Sequence, residues 1–192
     1  MTRIIAGAAG GRRLSVPPGR TTRPTSDRAR EGLFGTVLSE LGSLTDARVL
    51  DLYAGSGAVG LEALSRGAAH ALLIELDPRA VQVIKRNVDT LRLPGAEVVT
   101  GRVERVLSRG PGEREPYDLV FADPPYAVSG AELTTVLESV RDQGWAAPGA
   151  LVVVERATRD GEPSWPSGYA PDRARRYGEA SLWYGHAADK ER

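Results

Sequence analysis

The 192-residue chain contains no cysteine. That excludes disulfides, thiolate metal sites and a covalent thiol nucleophile, and it is compatible with the cytosol. Histidine is nearly as scarce. Only His70 and His186 occur, too few for a histidine-rich metal site, and no metal is expected; His70 opens an apolar run, where a structural role is simplest. Long apolar runs are missing as well, none approaching the roughly 18 residues of a membrane span. At the start of the chain Arg3 is followed by only a short Ile4-Ile5-Ala6 stretch. No secretory signal is read there, and the cytoplasm is the expected location. Net charge is zero, so a nucleic-acid partner is not announced by the sum. Lysine is limited to Lys85 and Lys190, leaving arginine as 23 of the 25 basic residues.

Composition is otherwise ordinary for a globular protein, with 41% apolar and 26% charged residues, and the length suits one domain with a sizeable core. The distribution of charge says more than its total. Residues 1 to 30 hold seven arginines (Arg3, Arg12, Arg13, Arg20, Arg23, Arg28 and Arg30) against Asp27 alone, a net of +6, so the remainder carries −6. A flexible basic tail would give the same count. The planar fork of arginine suits phosphate and base edges, which favours a nucleic-acid partner.

Residues 3–7 and 11–17 read as two short strands around a glycine turn, and 17–24 as a linker. Thr25 or Ser26 is placed to cap a helix carrying Leu33, Phe34, Val37, Leu38 and Leu41 at helical spacing, with a basic first turn. From Arg48 strands and helices alternate: strand 48–53, helix 57–66, strand 70–75, helix 78–91, strand 96–100, helix 102–109, strand 117–122, helix 129–143 and strand 149–155. That is the pattern of an α/β fold with a parallel sheet and helices on both faces. Residues 173–177 and 180–184 read as a closing hairpin. Such folds bind ligands beyond the carboxyl ends of their strands, where Asp51, Glu75, 101–103 and Asp123 would converge.

Gly55, Gly57 and Gly60 fit the G-x-G-x-x-G pattern between strand and helix, which suits a dinucleotide as well as other adenosine ligands. Asp51 argues against a pyrophosphate, since a carboxylate four residues before the first glycine attracts a cationic ligand such as the ammonium and sulfonium of S-adenosylmethionine. Glu75 ends the second strand, where an acid accepts hydrogen bonds from ribose hydroxyls. Asp77 before Pro78 reads as a helix cap.

Asp123-Pro124-Pro125-Tyr126 follows the apolar run Leu119-Val120-Phe121-Ala122. Proline pushes the residue before it towards extended geometry, so the Asp123 carboxylate projects beyond the strand end. Pro124 and Pro125 offer carbonyls without N–H donors, and Tyr126 adds an aromatic plate. A conjugated amino or amide nitrogen is a poor nucleophile; acceptors gripping its N–H groups aim its lone pair at an electrophile, while an aromatic ring stacks on a planar substrate. Alone the tetrapeptide could be a rigid turn. With the glycine loop it points to methylation of an amino group.

In order and spacing, Arg3-Ile4-Ile5-Ala6-Gly7, Gly11-Arg12-Arg13-Leu14, Arg23-Pro24-Thr25-Ser26-Asp27-Arg28-Ala29-Arg30-Glu31, Leu33-Phe34, the glycine loop and Asp123-Pro124-Pro125-Tyr126 resemble the bacterial 16S ribosomal RNA guanine-N2 methyltransferases of the RsmD family. The resemblance covers nearly the whole chain. The glycine loop and the tetrapeptide are shared by many amino methyltransferases, so the Arg-Pro-Thr segment carries the family-level specificity. It implies a class I, Rossmann-like methyltransferase with a seven-stranded, mostly parallel sheet whose last strand is antiparallel. Residues 1–24 would form a basic β-hairpin and linker, and residues 25–192 the methyltransferase domain. It further implies S-adenosyl-L-methionine as methyl donor, with Asp51, Gly55 and Gly57 around the methionine part, Glu75 on the ribose, Arg102 and Val103 near the adenine, and Tyr53 and Asp123 bordering the same site. Asp123, Pro124 and Tyr126 would hold a flipped guanine, and the seven N-terminal arginines would contact 16S rRNA in the 30S subunit or its assembly intermediate. A monomer suits the size. Adenine N6 and a protein glutamine amide are the alternative acceptors, because they would use a similar corner. An NAD enzyme would lack an obvious hydride-transfer histidine, and a non-enzymatic RNA-binding factor would leave Asp51, Glu75 and Asp123 without work. Residues 160–171 match no motif.

Overall fold

Strands that are apolar on both faces must be covered on both faces, which a parallel sheet between helical layers achieves. In the computed structural model, which describes residues 2–18 and 26–189, those strands are β1 (Arg48–Leu52), β2 (His70–Glu75), β3 (Ala96–Thr100), β4 (Tyr117–Ala122) and β5 (Ala146–Ala157). They run parallel to one another. The C-terminal hairpin adds β6 (Tyr169–Tyr177) and β7 (Ala180–Ala187), with β7 antiparallel between β5 and β6, so the order is β3-β2-β1-β4-β5-β7-β6. The seven strands and the antiparallel β7 agree with what the resemblance implied.

Alternation sorts side chains between two cores. Val49, Leu73, Phe121 and Val153 face one side, with Leu33 and Phe34 of α1 (Asp27–Leu41), Leu61 of α2 (Ala58–Ser65) and Ile84 of α3 (Pro78–Leu91). Leu50, Leu72, Val120 and Val152 face the other, with Leu107 of α4 (Val103–Ser108) and Leu133, Val136 and Val140 of α5 (Gly130–Asp142). All eight residues of α2 are buried, so packing rather than intrinsic propensity holds so short a helix. Helix starts follow the sequence signals. The Ser26 hydroxyl accepts the Ala29 N–H at 3.1 Å, Asp77 accepts the Arg79 N–H at 2.9 Å, and Ser129 and Glu132 form a reciprocal capping box.

Two expectations need correction. The N-terminal strands reduce to a single antiparallel bridge, Arg3 to Arg13. Hairpin bonds flank it, Ile4 N–H to the Arg12 carbonyl and Leu14 N–H to the Thr2 carbonyl at 2.9 Å each and Gly11 N–H to the Ile4 carbonyl at 2.8 Å, while other donors of the segment go to α2: Ile5 N–H and Ala6 N–H donate to the Glu62 carboxylate at 2.7 and 3.1 Å, and Ala9 N–H donates to the Ser65 hydroxyl at 2.9 Å. Gly7 is obligatory at this approach, since at φ +83 a Cβ would lie 1.9 Å from the Ser65 carbonyl oxygen. Ile4, Ala9 and Leu14 are buried in the same core as α1 and α2. Secondly, β5 starts at Ala146 rather than 149. Pro148-Gly149 reads as a break, but Gly149 at φ +76 lies where the β4 to β5 register shifts, and pairing continues on both sides of it. The 17–24 linker and Thr25 fall largely or wholly outside the described residues.

Candidate active site

At the carboxyl end of β1 the chain turns through three left-handed residues in five positions, Tyr53 (φ +59), Gly55 (φ +62) and Gly57 (φ +82). Tyr53 is the costly one, because its Cβ disfavours this region. The turn brings α2 down onto β1, so that the Asp51 carboxylate accepts the Gly60 N–H at 2.9 Å. A Cβ on Gly60 would crowd that oxygen and Leu73. At the end of β2, one oxygen of Glu75 accepts the Gly55 N–H at 2.8 Å and the other the Asp77 N–H at 2.9 Å. Glu75 thus fixes both the glycine loop and the start of α3. Asp77 caps that helix as expected.

These residues line a cleft of about 1130 Å³ over the carboxyl ends of the strands. Asp51, Tyr53, Gly55, Glu75, Arg102, Val103 and Asp123 all lie on it; Gly57 is absent from its lining and shapes the loop from behind. Asp51 is buried, and desolvation, opposed by the Gly60 N–H and reinforced by the charge of Glu75, raises its carboxyl to about 8. Burial, with Glu104 and Glu132 nearby, also pushes the Tyr53 phenol upward, and its hydroxyl is buried without a hydrogen-bond partner among the described residues. A buried acid and an orphaned hydroxyl on the lining of one cleft fit a ligand that brings positive charge and a hydrogen-bonding partner.

Past Asp123, Pro124 and Pro125 the cleft adjoins a second cavity of about 270 Å³, which shares those three residues and Val128 and adds Tyr126, Ser26, Glu155 and Tyr177. The Pro125 carbonyl already accepts the Val128 N–H at 2.9 Å. Tyr126 is 70% exposed, and the Arg159 guanidinium stands 5.9 Å from its ring centroid. Among the described residues the exposed large hydrophobics are Val16, Leu76 and Tyr126, and each lines one of these two cavities. Apolar surface is left open where ligand would cover it.

Sequence reading missed Val16, Pro17 and Leu76 on the cleft wall, and Asn87 behind it. Asn87 accepts the Ser15 N–H at 2.8 Å and donates to the carbonyls of Ser15 and Ser56 at 3.0 Å each. Its signal was available: a polar residue on the buried stripe of α3, three residues after Ile84. The N-terminal arginines separate. Arg3, Arg12, Arg13 and Arg28 are exposed, Arg20 and Arg23 lie outside the described residues, and Arg30 is fully buried. Arg30 is therefore withdrawn from any RNA surface; it donates to the Arg3 carbonyl, to Asp27 at 3.2 Å and to Glu62 at 3.4 Å. Its helix packs that face against α2, where an arginine needs a buried acid.

A seven-stranded sheet in this order, a glycine turn after β1, acids ending β1 and β2 and an Asp-Pro-Pro-Tyr corner after β4 define a class I, Rossmann-like methyltransferase. Residues 2–186 match the family model described as conserved hypothetical protein 95. The chain belongs to that family, the RsmD family that its motifs resemble. It is 40% identical over 179 residues to the Escherichia coli protein named ribosomal RNA small subunit methyltransferase D, covering 93% of this chain and 86% of that one. Among solved structures, Escherichia coli yhhF superposes with a TM-score of 0.83 at 37% identity, over 97% of each chain. A hypothetical protein of Thermus thermophilus gives 0.78 at 34% identity, over 96% of this chain and 98% of that one.

Proposed function

We propose that this methyltransferase takes its methyl group from S-adenosyl-L-methionine and places it on the exocyclic N2 of one guanine in 16S ribosomal RNA, within the 30S subunit or its assembly intermediate. The observation that carries the reading is the junction of the two cavities at Asp123-Pro124-Pro125, with acceptors between a large adenosine-sized cleft and a small cavity beside an exposed aromatic ring. The printed name of the Escherichia coli relative supports ribosomal RNA as the substrate. Work on ribosomal subunits in the cytoplasm is part of the same reading; no helix among the described residues is long and apolar enough to cross a membrane.

The donor supplies an electrophilic methyl group on a sulfonium. Asp51 would hold the cationic methionine end, the donor would supply the partner that the Tyr53 hydroxyl lacks among the described residues, and Glu75 would accept from the ribose while keeping its two backbone donors. Arg102 and Val103 would flank the adenine. Asp123 and the Pro124 carbonyl accept the two N–H groups of the guanine amine, the Pro125 carbonyl being already engaged by Val128. Two acceptors fix the plane of the amino group and turn its lone pair towards the donor cleft. Tyr126 stacks on the extruded base. Asp123 acts as a hydrogen-bond acceptor rather than a strong base, because the proton leaves to water once the alkylated nitrogen has become acidic. With no cysteine in the chain, direct transfer without a covalent thiol intermediate is the route.

Asp123→Ala tests this assignment. Turnover is expected to fall about 10²- to 10³-fold, the scale of losing a preorganised transition-state contact, while RNA affinity is retained. Wild-type turnover by a variant that still binds RNA contradicts it.

A further inference from the structure

β6 is one of the two edge strands of the sheet, exposed from Ala170 to Arg176, and it carries Arg173, Arg175 and Arg176. Arg173 is accounted for by Glu40 at 2.7 Å and Asp172 at 3.1 Å. The others stand on opposite faces of the strand: Arg175 shares the face of Tyr177, which lines the smaller cavity, and Arg176 lies beside the turn that follows it. Arg156 lines that cavity, and Arg159 reaches over the Tyr126 ring. Arg176 donates to the Gly178 carbonyl at 3.0 Å, in the turn between two lining residues, Tyr177 and Glu179. Arg175 precedes it on the same exposed strand.

The other end of the chain comes to the same place. Ser26 lines the cavity and Arg28, two residues on, is exposed. Tyr177 packs so closely on α1 that a Cβ on Gly32 would lie 1.8 Å from its hydroxyl. Charged edge strands commonly serve only to block pairing with another sheet. That purpose does not explain Arg156 or Arg159, which lie off that edge strand and at the cavity mouth.

We propose that the C-terminal arginines Arg156, Arg159, Arg175 and Arg176 form a second RNA-contact surface, facing Arg28 and the N-terminal segment across the smaller cavity. The inference rests on the reading of the site given above, and it assigns a role to the end of the chain that the sequence motifs leave unexplained. A single strand would cross the cavity mouth with its phosphates on the two arginine groups and the target base inside. The acids of the cavity suit that division. Glu155 is buried, while Asp160 and Glu179 lie on its walls; they repel phosphate but accept the N–H donors of a base edge. Arg159 can keep the face of Tyr126 that it covers, or stack on a neighbouring base.

The test is the salt dependence of binding to 30S subunits from cells lacking the enzyme, for the full chain and for the triple variant Arg159→Ala, Arg175→Ala, Arg176→Ala. All three positions are exposed, and thermal melting together with unchanged donor affinity establishes that the variant is folded. A control variant, Arg105→Ala with Arg109→Ala, neutralises exposed arginines on and just after α4. The account predicts that the triple variant binds subunits about tenfold or more weakly at 0.1 M salt. The slope of log affinity against log salt should drop by about 0.7 per lost phosphate contact, about 2 in all, with the α4 control close to wild type. A triple variant that matches the control in affinity and slope, beside a wild-type enzyme that methylates subunits normally, overturns the second surface alone. Failure of the wild type to bind or methylate subunits, with donor binding intact, overturns the second surface together with the functional reading beneath it.

Discussion

Asp51 is a carboxylate enclosed by protein, and its ionisation is the most informative single-residue property of the site. Its folded-state value of about 8 lies above the ordinary 3.8, so the ligand-free native chain holds a proton that the unfolded chain has lost between roughly pH 4 and 8. Stability of the ligand-free protein therefore falls as pH rises through that window. A cationic ligand favours the ionised form, so donor binding should release a proton, and donor affinity should rise with pH by up to about tenfold per unit until about 8. Calorimetry in buffers of different ionisation enthalpy reads this directly. Asp51→Asn should abolish the proton release and weaken binding; an affinity independent of pH between 6 and 8 contradicts the assignment. Arg30 teaches a different lesson. Sequence presents seven N-terminal arginines as one charge count, yet burial is decided by which helix face meets α2, and Arg30 meets Glu62 there. Arg30→Ala should cost about 3 kcal/mol in urea unfolding, because it leaves part of a buried charge network unpaired. Unchanged stability would show that the network is dispensable.

At the scale of elements, the strands and helices from β1 to α5 were legible to within a few residues, because apolar runs, caps and glycine turns act locally. The N-terminal hairpin was legible only in part. It keeps bonds such as Ile4 N–H to the Arg12 carbonyl, but Ile5, Ala6 and Ala9 donate to Glu62 and Ser65 of α2, about sixty residues away in sequence, and no local pattern announces that. The same segment supplies Val16 and Pro17 to the cleft wall, and Asn87 latches it to the glycine loop through Ser15 and Ser56. Asn87→Ala should cost about 1–3 kcal/mol of stability, since it leaves buried backbone groups unsatisfied. If about 1.4 kcal/mol of that reaches the cleft, the donor Kd rises about tenfold. Full donor affinity in a destabilised variant would confine Asn87 to the fold.

For the whole molecule, alternation of strand and helix indicated a parallel sheet and therefore a site at the carboxyl ends of its strands, which is why Asp51, Glu75, Val103 and Asp123 could be gathered from sequence alone. The antiparallel last strand entered through family resemblance, and its insertion between β5 and β6 follows no local rule. The smaller cavity could not be read at all. Its walls come from Ser26, from the corner after β4 and from residues 155–180, which only the tertiary fold brings together. The larger cleft and the smaller cavity, which share Asp123, Pro124, Pro125 and Val128, are the basis of the proposed function, and amine acceptors other than guanine would use a similar corner. The most direct measurement is transfer of labelled methyl from S-adenosyl-L-methionine to 30S subunits from cells lacking the enzyme, followed by nucleoside analysis of the RNA. The account predicts label in N2-methylguanosine at a single site. Absence of label there, with donor binding intact, contradicts it and moves the acceptor to an adenine N6 or a protein amide.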